Sequence, residues 1–144
     1  MNTEAMLQLA DTIECVEPES FEMGDWYVPV SRNVCGYAAC VAGWAVLSDD
    51  TERTIYEAWK KTDPENGYDC YAWGSRGALV LGLTMHQADQ LFTCAGHWAT
   101  WLNELGIDHE VECLDDVTSK HAVEVLRGLA RGELIFSVKS GCCG

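Results

Sequence analysis

A run of small and apolar residues, VCGYAACVAGWAVL, occupies positions 34 to 47 and constrains the fold more than any other segment. Positions 38–47 carry no charge, so a helix there would be apolar on every side and has to be buried. Its glycines and alanines allow neighbouring backbone to approach closely, because they carry little or no side chain. The sequence therefore predicts a buried, close-packed helix at about residues 38–47 in the centre of the molecule.

Apolar residues at helical spacing predict amphipathic helices on both sides of this run. Thr84 and Gln87 form the pattern of a capping box, and Gly132 marks the end of the last helix. We expect a mainly α fold, a single compact helical domain of about six helices. The segment ELIFSVK near the C-terminus is either a short strand or an extended arm. We expect residues 1–139 to form this domain and residues 140–144, which contain Cys142 and Cys143, to form a flexible tail.

The charge of the chain favours some partner classes over others. The 144 residues carry a formal net charge of −14, and residues 1–31 contain seven acids and no Lys or Arg. Such a surface repels phosphate backbones and anionic membranes, so direct nucleic-acid binding is disfavoured. A basic protein surface or a small ligand held in a pocket is the expected partner. Without a signal peptide or an apolar run of about 20 residues, we expect a cytoplasmic protein with no membrane span.

Cys35 is the candidate catalytic residue among the eight cysteines, which we expect to be reduced thiols in a protein without an export signal. A thiol at the start of a helix is stabilised as the thiolate by the helix dipole, so Cys35 is a possible nucleophile. It requires a histidine base, and the spacing selects none of the four histidines: His86, His97, His109 and His121. The alternative interpretation is that Cys35 and Cys40 are packing thiols.

A metal site is a second interpretation of the same cysteines. Cys94 and His97 have C-x-x-H spacing, and Cys35 with Cys40 would complete the four ligands of structural zinc. The two sulfurs reach one metal only if Cys35 precedes the helix proper. We predict no cofactor, with zinc as the alternative. A Cys35–Cys40 disulfide ranks below the metal site.

Aromatic residues suggest either a tryptophan-rich core or a binding pocket. Large aromatic side chains dominate the burial of apolar surface, which favours the core. In the alternative, aromatic rings stack on a ligand or anchor a partner chain, and an arginine holds an anionic group. The candidate binding residues are Trp26, Trp44, Trp73 and Arg76.

Four segments, MGDW, CGYAACVAGWA, LVLGLTMHQADQLF and AVEVLRGLARGE, give the chain a family resemblance over about residues 20–132. Together they resemble a loose group of small uncharacterised proteins of actinobacteria and their bacteriophages. The pattern of that group is approximately C-G-T-x-x-C-[IL]-A-G-[WH]-A followed by L-G-L-T-x-x-Q-A-x-x-L-F. This chain has Tyr37 where the pattern has Thr. The resemblance implies an intracellular bacterial or phage setting and no particular activity.

Three functional hypotheses remain open on the sequence. The first is a small, acidic, non-enzymatic binding protein, encoded by a phage, that acts on a host protein in the host cytoplasm or sequesters a small ligand. The second is a thiol-dependent hydrolase or transferase that uses Cys35. The third is an interaction module stabilised by zinc. The sequence does not predict the oligomeric state.

Overall fold

The computed structural model describes residues 1–23, 28–29, 37–38, 40–62 and 70–138. In these ranges the chain forms seven α-helices, which confirms the prediction of a mainly α domain. They are α1 (Thr3–Cys15), α2 (Val41–Ser48), α3 (Asp50–Thr62), α4 (Cys70–Leu81), α5 (Met85–Thr93), α6 (Ala95–Glu104) and α7 (Ser119–Arg131). Two 3-10 turns, Pro18–Ser20 and Leu114–Asp116, and two short strands, β1 (Val28–Pro29) and β2 (Tyr37–Ala38), complete the elements.

Helix α2 lies at the centre of the core, as the run of small residues predicts. Every residue from Val41 to Leu47 is buried, and the helix makes its most extensive contacts with α4. A Cβ atom at Gly77 of α4 would lie 3.2 Å from both Cα and Cβ of Ala42. The two backbones therefore approach at a point where a larger residue would force them apart.

The start of α2 differs from the prediction by three residues. The sequence predicts a helix from about residue 38, whereas Cys40 is the N-cap and Val41 is the first helical residue. The reason is that Tyr37–Ala38 pairs as β2 with Val28–Pro29 in an antiparallel ladder. This pairing holds Tyr37 and Ala38 in the extended conformation, so neither residue belongs to the helix.

Helices α1 and α7 form the most extensive helix pair of the described chain. Apolar side chains at helical spacing line the buried face of each helix, which is the pattern that the sequence shows. Burial of each large apolar side chain stabilises the fold by about 1.5–3 kcal/mol. The buried side chains are Met6, Leu9, Ala10 and Ile13 of α1 and Ala122, Val123, Val125, Leu126 and Leu129 of α7.

The predicted helix ends are confirmed in detail. Thr84 and Gln87 form a reciprocal capping box at the start of α5, in which each side chain accepts a hydrogen bond from the other residue's backbone N–H. Gly132 closes α7 with a φ of 78°, in the left-handed region that favours glycine. Gly82 closes α4 in the same region, and a Cβ there would lie 2.8 Å from the backbone nitrogen of Asn2.

The C-terminal segment is an extended arm, and residues 133–138 belong to no strand. The buried side chain of Gln90 donates to the Ser137 carbonyl at 2.9 Å and accepts from its N–H at 2.8 Å. The indole of Trp101 donates to the Ile135 carbonyl at 3.1 Å. Side chains thus replace the hydrogen bonds that a neighbouring strand would provide. Of the two predicted alternatives, a short strand or an extended arm, the segment is the arm.

Candidate functional site

The predicted nucleophile Cys35 lies outside the described residues. Its chemical argument depends on a helix start, and α2 begins only at Val41. Cys35 therefore precedes the N-cap, Cys40, by five residues, and the thiol next to the helix dipole is that of Cys40. Cys40 is buried and is a thiol. The catalytic role of Cys35 stays a prediction.

Cys94 is fully buried at the junction of α5 and α6, and it is disulfide-bonded. The expectation that all cysteines are reduced is wrong at this position. Cys15, Cys40 and Cys113 are thiols, so none of them is the bonded partner of Cys94. The proposed Cys35–Cys40 disulfide is also wrong, because Cys40 is a thiol.

The predicted zinc set is not assembled in this oxidised form. A metal binds the thiolate of a cysteine, and the Cys94 sulfur is committed to a disulfide. His97 lies one turn further on and packs against the Trp101 ring, with ring centroids 5.8 Å apart. Within the described part of the chain, no group of three or more His, Cys, Asp or Glu side chains is placed to hold a metal ion.

Two of the predicted aromatic binding residues, Trp44 and Trp73, lie in the core. The Trp44 indole donates a buried hydrogen bond of 2.9 Å to the Ser20 carbonyl, and the Trp73 ring lies 5.1 Å from the Tyr56 ring. Trp98 and Trp101 are also buried, so the tryptophan-rich core is the better interpretation of these residues. Trp26 lies outside the described residues.

Arg76 forms an ion pair across α3 and α4. Its Nε lies 3.2 Å from Oε2 of Glu52, whose side chain is only 7% exposed. This oxygen accepts no well-aligned hydrogen bond from the described residues, so the contact is chiefly electrostatic. An anionic ligand would have to compete with a buried carboxylate for Arg76. The structure therefore gives Arg76 a partner inside the protein, and its role as a ligand anchor stays a prediction.

A polar groove of about 340 Å³ lies between α1 and the α2–α3 junction. None of the predicted site residues lines it. Its lining residues are Asn2, Glu4, Ala5, Gln8, Leu9, Thr12, Ser48, Asp49 and Val80.

A dense cluster of acids begins at the last residue of α6 and continues into the connection to α7. We call this segment, residues 104–116, the acidic connection. It contains six acids and no Lys or Arg. Five of these side chains are exposed, and none forms a salt bridge with any Lys or Arg that the structure describes. The acids are Glu104, Asp108, Glu110, Glu112, Asp115 and Asp116.

Asp116 fixes the shape of the acidic connection. Its Oδ2 accepts hydrogen bonds from the backbone N–H groups of Glu112 at 3.0 Å and Cys113 at 3.2 Å. These backbone hydrogen bonds lower the pKa of Asp116, because they favour the charged carboxylate. The connection is therefore an ordered turn that presents its other carboxylates to solvent.

Two histidines join the acidic connection to α7. The rings of His109 and His121 lie 4.0 Å apart, centroid to centroid, at an angle of 40°. His109 Nε2 donates to the Asp116 carbonyl at 2.6 Å. His121 is the third residue of α7 and completes the capping box with Thr118.

The sequence reasoning did not single out the acidic connection, although the signal was present. No Lys or Arg occurs between Arg76 and Lys120, while the acids cluster at the end of that interval. Attention to the acids of residues 1–31 missed this second cluster.

Comparison with known protein families, with curated proteins and with solved structures finds no match for this chain. Within the described ranges, no helix has the length and apolar character needed to cross a membrane.

Proposed function

We propose that this protein is a small acidic binding protein that docks a basic surface of a partner protein through the acidic connection. The observation that carries the proposal is the charge of residues 104–116, where six acids occur without Lys or Arg. Concentrated charge of one sign steers an oppositely charged partner and raises its association rate. It also contributes specificity, because a like-charged surface is repelled.

The order of the connection supports this role. Asp116 holds the backbone of Glu112 and Cys113 in place, so the exposed carboxylates keep a defined spacing before a partner arrives. A preordered surface loses less conformational entropy on binding than a flexible one. The resemblance to phage and actinobacterial proteins makes a host protein in the bacterial cytoplasm the partner that we expect.

The test compares two charge-reversal variants with the same net charge. In the first, Asp108, Glu110 and Glu112 are replaced by Lys; in the matched control, the exposed acids Glu57, Asp89 and Glu133 are replaced by Lys. Each variant changes the net charge from −14 to −8, since three substitutions each add two charges. Proteins captured from a bacterial extract on immobilised wild type are identified, and the affinity of each purified candidate is then measured.

We expect the connection variant to bind the partner about 100-fold more weakly, and the control to stay within about threefold of wild type. Raising the salt to about 0.5 M should weaken wild-type binding strongly, because exposed charges are screened. Equal losses in both variants, or binding that salt does not change, would rule out docking through the connection. Cys35→Ser distinguishes the binding protein from the thiol-dependent enzyme. The substitution should leave partner binding intact, whereas it would abolish catalysis by the Cys35 thiol.

A further inference from the structure

The His109–His121 ring pair joins the acidic connection to the first turn of α7. The half-buried side chains of Ile107, Val111 and Leu114 also pack the connection against the core. The ring centroids are 4.0 Å apart. One ring comes from the connection and the other from the helix. Any change in the charge of these rings therefore acts on the junction between them.

One hydrogen bond of His121 needs a lone pair on Nδ1. The backbone N–H of Thr118 points to Nδ1 of His121 at 3.4 Å, and a backbone N–H can only donate. The Thr118 hydroxyl lies 3.0 Å from the same nitrogen and can either donate to it or accept from it. A proton at Nδ1 would therefore remove the backbone half of the capping box while the contact to the hydroxyl remains.

The charges around the pair act in opposite directions. On α7, Lys120 lies next to His121 and disfavours a second positive charge, while Glu124 lies one turn further on. On the connection, the Asp116 carboxylate attracts a charged His109. From α1, Glu14 lines the same cavity of about 230 Å³ as Lys120 and Glu124. A positive charge on His121 is thus disfavoured by both Lys120 and the His109 ring.

We propose that the His109–His121 pair is a pH switch that holds the acidic connection against α7 when His121 is neutral and loosens it when His121 is protonated. A positive charge on His121 lies against the His109 ring, with the ring centroids 4.0 Å apart, and the charged His121 ring no longer accepts the Thr118 N–H. Release frees the turn that Asp116 organises. The switch is a property of the fold; its effect on partner binding rests on the proposed function.

The direction of the pH dependence follows from His121. Burial, then the charges of His109 and Lys120, lower the pKa of His121 below its ordinary value of 6.5. The unfolded chain therefore takes up this proton first as the pH falls. The contribution of His121 to stability is complete above about pH 6.5 and is lost progressively below it.

Hydrogen exchange of the whole protein, corrected for the intrinsic rate at each pH, tests the switch. Between about pH 7.5 and about pH 5.5 we expect the protection of residues 105–118 to fall severalfold, while α1 keeps its protection. Unchanged protection of residues 105–118 in the wild type would overturn the proposal.

His121→Gln is the decisive variant. A glutamine at this position of a capping box still accepts the Thr118 N–H and cannot gain a proton, so the pH-dependent loss should disappear. His97→Gln is the matched control, since His97 lies outside the pair, and it should keep the wild-type pH dependence. A loss in His121→Gln as large as in the wild type would refute the switch.

A second measurement separates the switch from the proposed function. The affinity for an identified basic partner is compared at the same two pH values in the wild type and in His121→Gln. If exchange shows the switch but the connection charge reversal leaves affinity unchanged, the proposed function fails and the switch stands. If charge reversal weakens binding and exchange shows no release, the switch fails and the proposed function stands.

Discussion

Two acidic regions of this protein differ in whether their carboxylates form ion pairs. On the α1–α7 face, Arg127 forms ion pairs of 2.9 Å with both Asp11 and Glu14. In the acidic connection, backbone N–H groups hold Asp116 and no described Lys or Arg neutralises the other acids. The first region uses its acids to join two helices. The second presents them to solvent, which is why it is the better candidate for a binding surface.

The largest expected effect comes from the packing between α1 and α7, compared with the packing of the acidic connection. Leu126 of α7 is fully buried, and Leu126→Ala should destabilise the protein by about 2–5 kcal/mol, because it leaves a cavity. Leu114→Ala, at a half-buried position of the acidic connection, should cost clearly less. Denaturant unfolding measures both. A similar cost at the two positions would contradict the view that the connection is peripheral to the core.

The next effect concerns the α5–α6 side, from which the acidic connection departs. Reduction of the Cys94 disulfide should lower stability by about 2–4 kcal/mol, since the link restricts the unfolded chain. The matched control is Cys15→Ser, which removes an exposed thiol and should change little. Thiol counting with and without denaturant, followed by unfolding in reductant, checks this. Identical unfolding curves with and without reductant would show that the disulfide carries no stability.

A smaller effect is expected from the ion pairs of the α1–α7 face. Arg127→Met should lower the thermal midpoint by only a few degrees, because exposed ion pairs contribute little. The hydrogen bond and charge of Arg127 lower the pKa of Glu14, so the contribution of Glu14 is present above about pH 4.5 and is lost as the pH falls. This acid-side loss should be weaker in Arg127→Met. Arg127→Lys, which keeps the charge but not the bidentate geometry, is the control.

The smallest effect on stability is expected in the acidic connection itself. Glu110→Gln, at an exposed position, should leave the free energy of unfolding within about 0.5 kcal/mol of wild type. Under the proposed function it should still weaken partner binding severalfold at low salt, because it removes one of the exposed charges. Unfolding and affinity measurements on the same preparation separate the two. A stability loss without a change in affinity would mean that Glu110 stabilises the fold and does not contribute to partner binding.

Much of the helical architecture was predictable because its signals are local. The spacing of Leu126 and Leu129 indicates the buried face of α7, and Gly132 marks its end whatever the helix packs against. The Thr84–Gln87 capping box is likewise a contact between residues three apart. Such features depend on backbone geometry over a few residues, so a single sequence contains them.

The site predictions depended on contacts between residues that are far apart in the chain, and a single sequence does not indicate such contacts. Nothing near Arg76 in the sequence indicates that Glu52 is its partner, and nothing near Cys94 indicates a disulfide. Cys35 and Trp26 lie outside the described residues, so their predicted roles stay predictions. The predicted strand or arm at residues 133–138 was decided by Gln90, whose amide lies 47 positions from Ser137 in the chain.

The sequence by itself determined that the chain is a mainly helical domain with a buried, small-residue helix near its centre. It also determined the excess of acids and where along the chain they cluster. Only the tertiary structure decided which acids are neutralised, because Arg127 reaches Asp11 and Glu14 across more than 110 positions. It likewise decided that His109 and His121 meet. Charge is a property of composition, whereas the pairing of charges depends on which helices pack together.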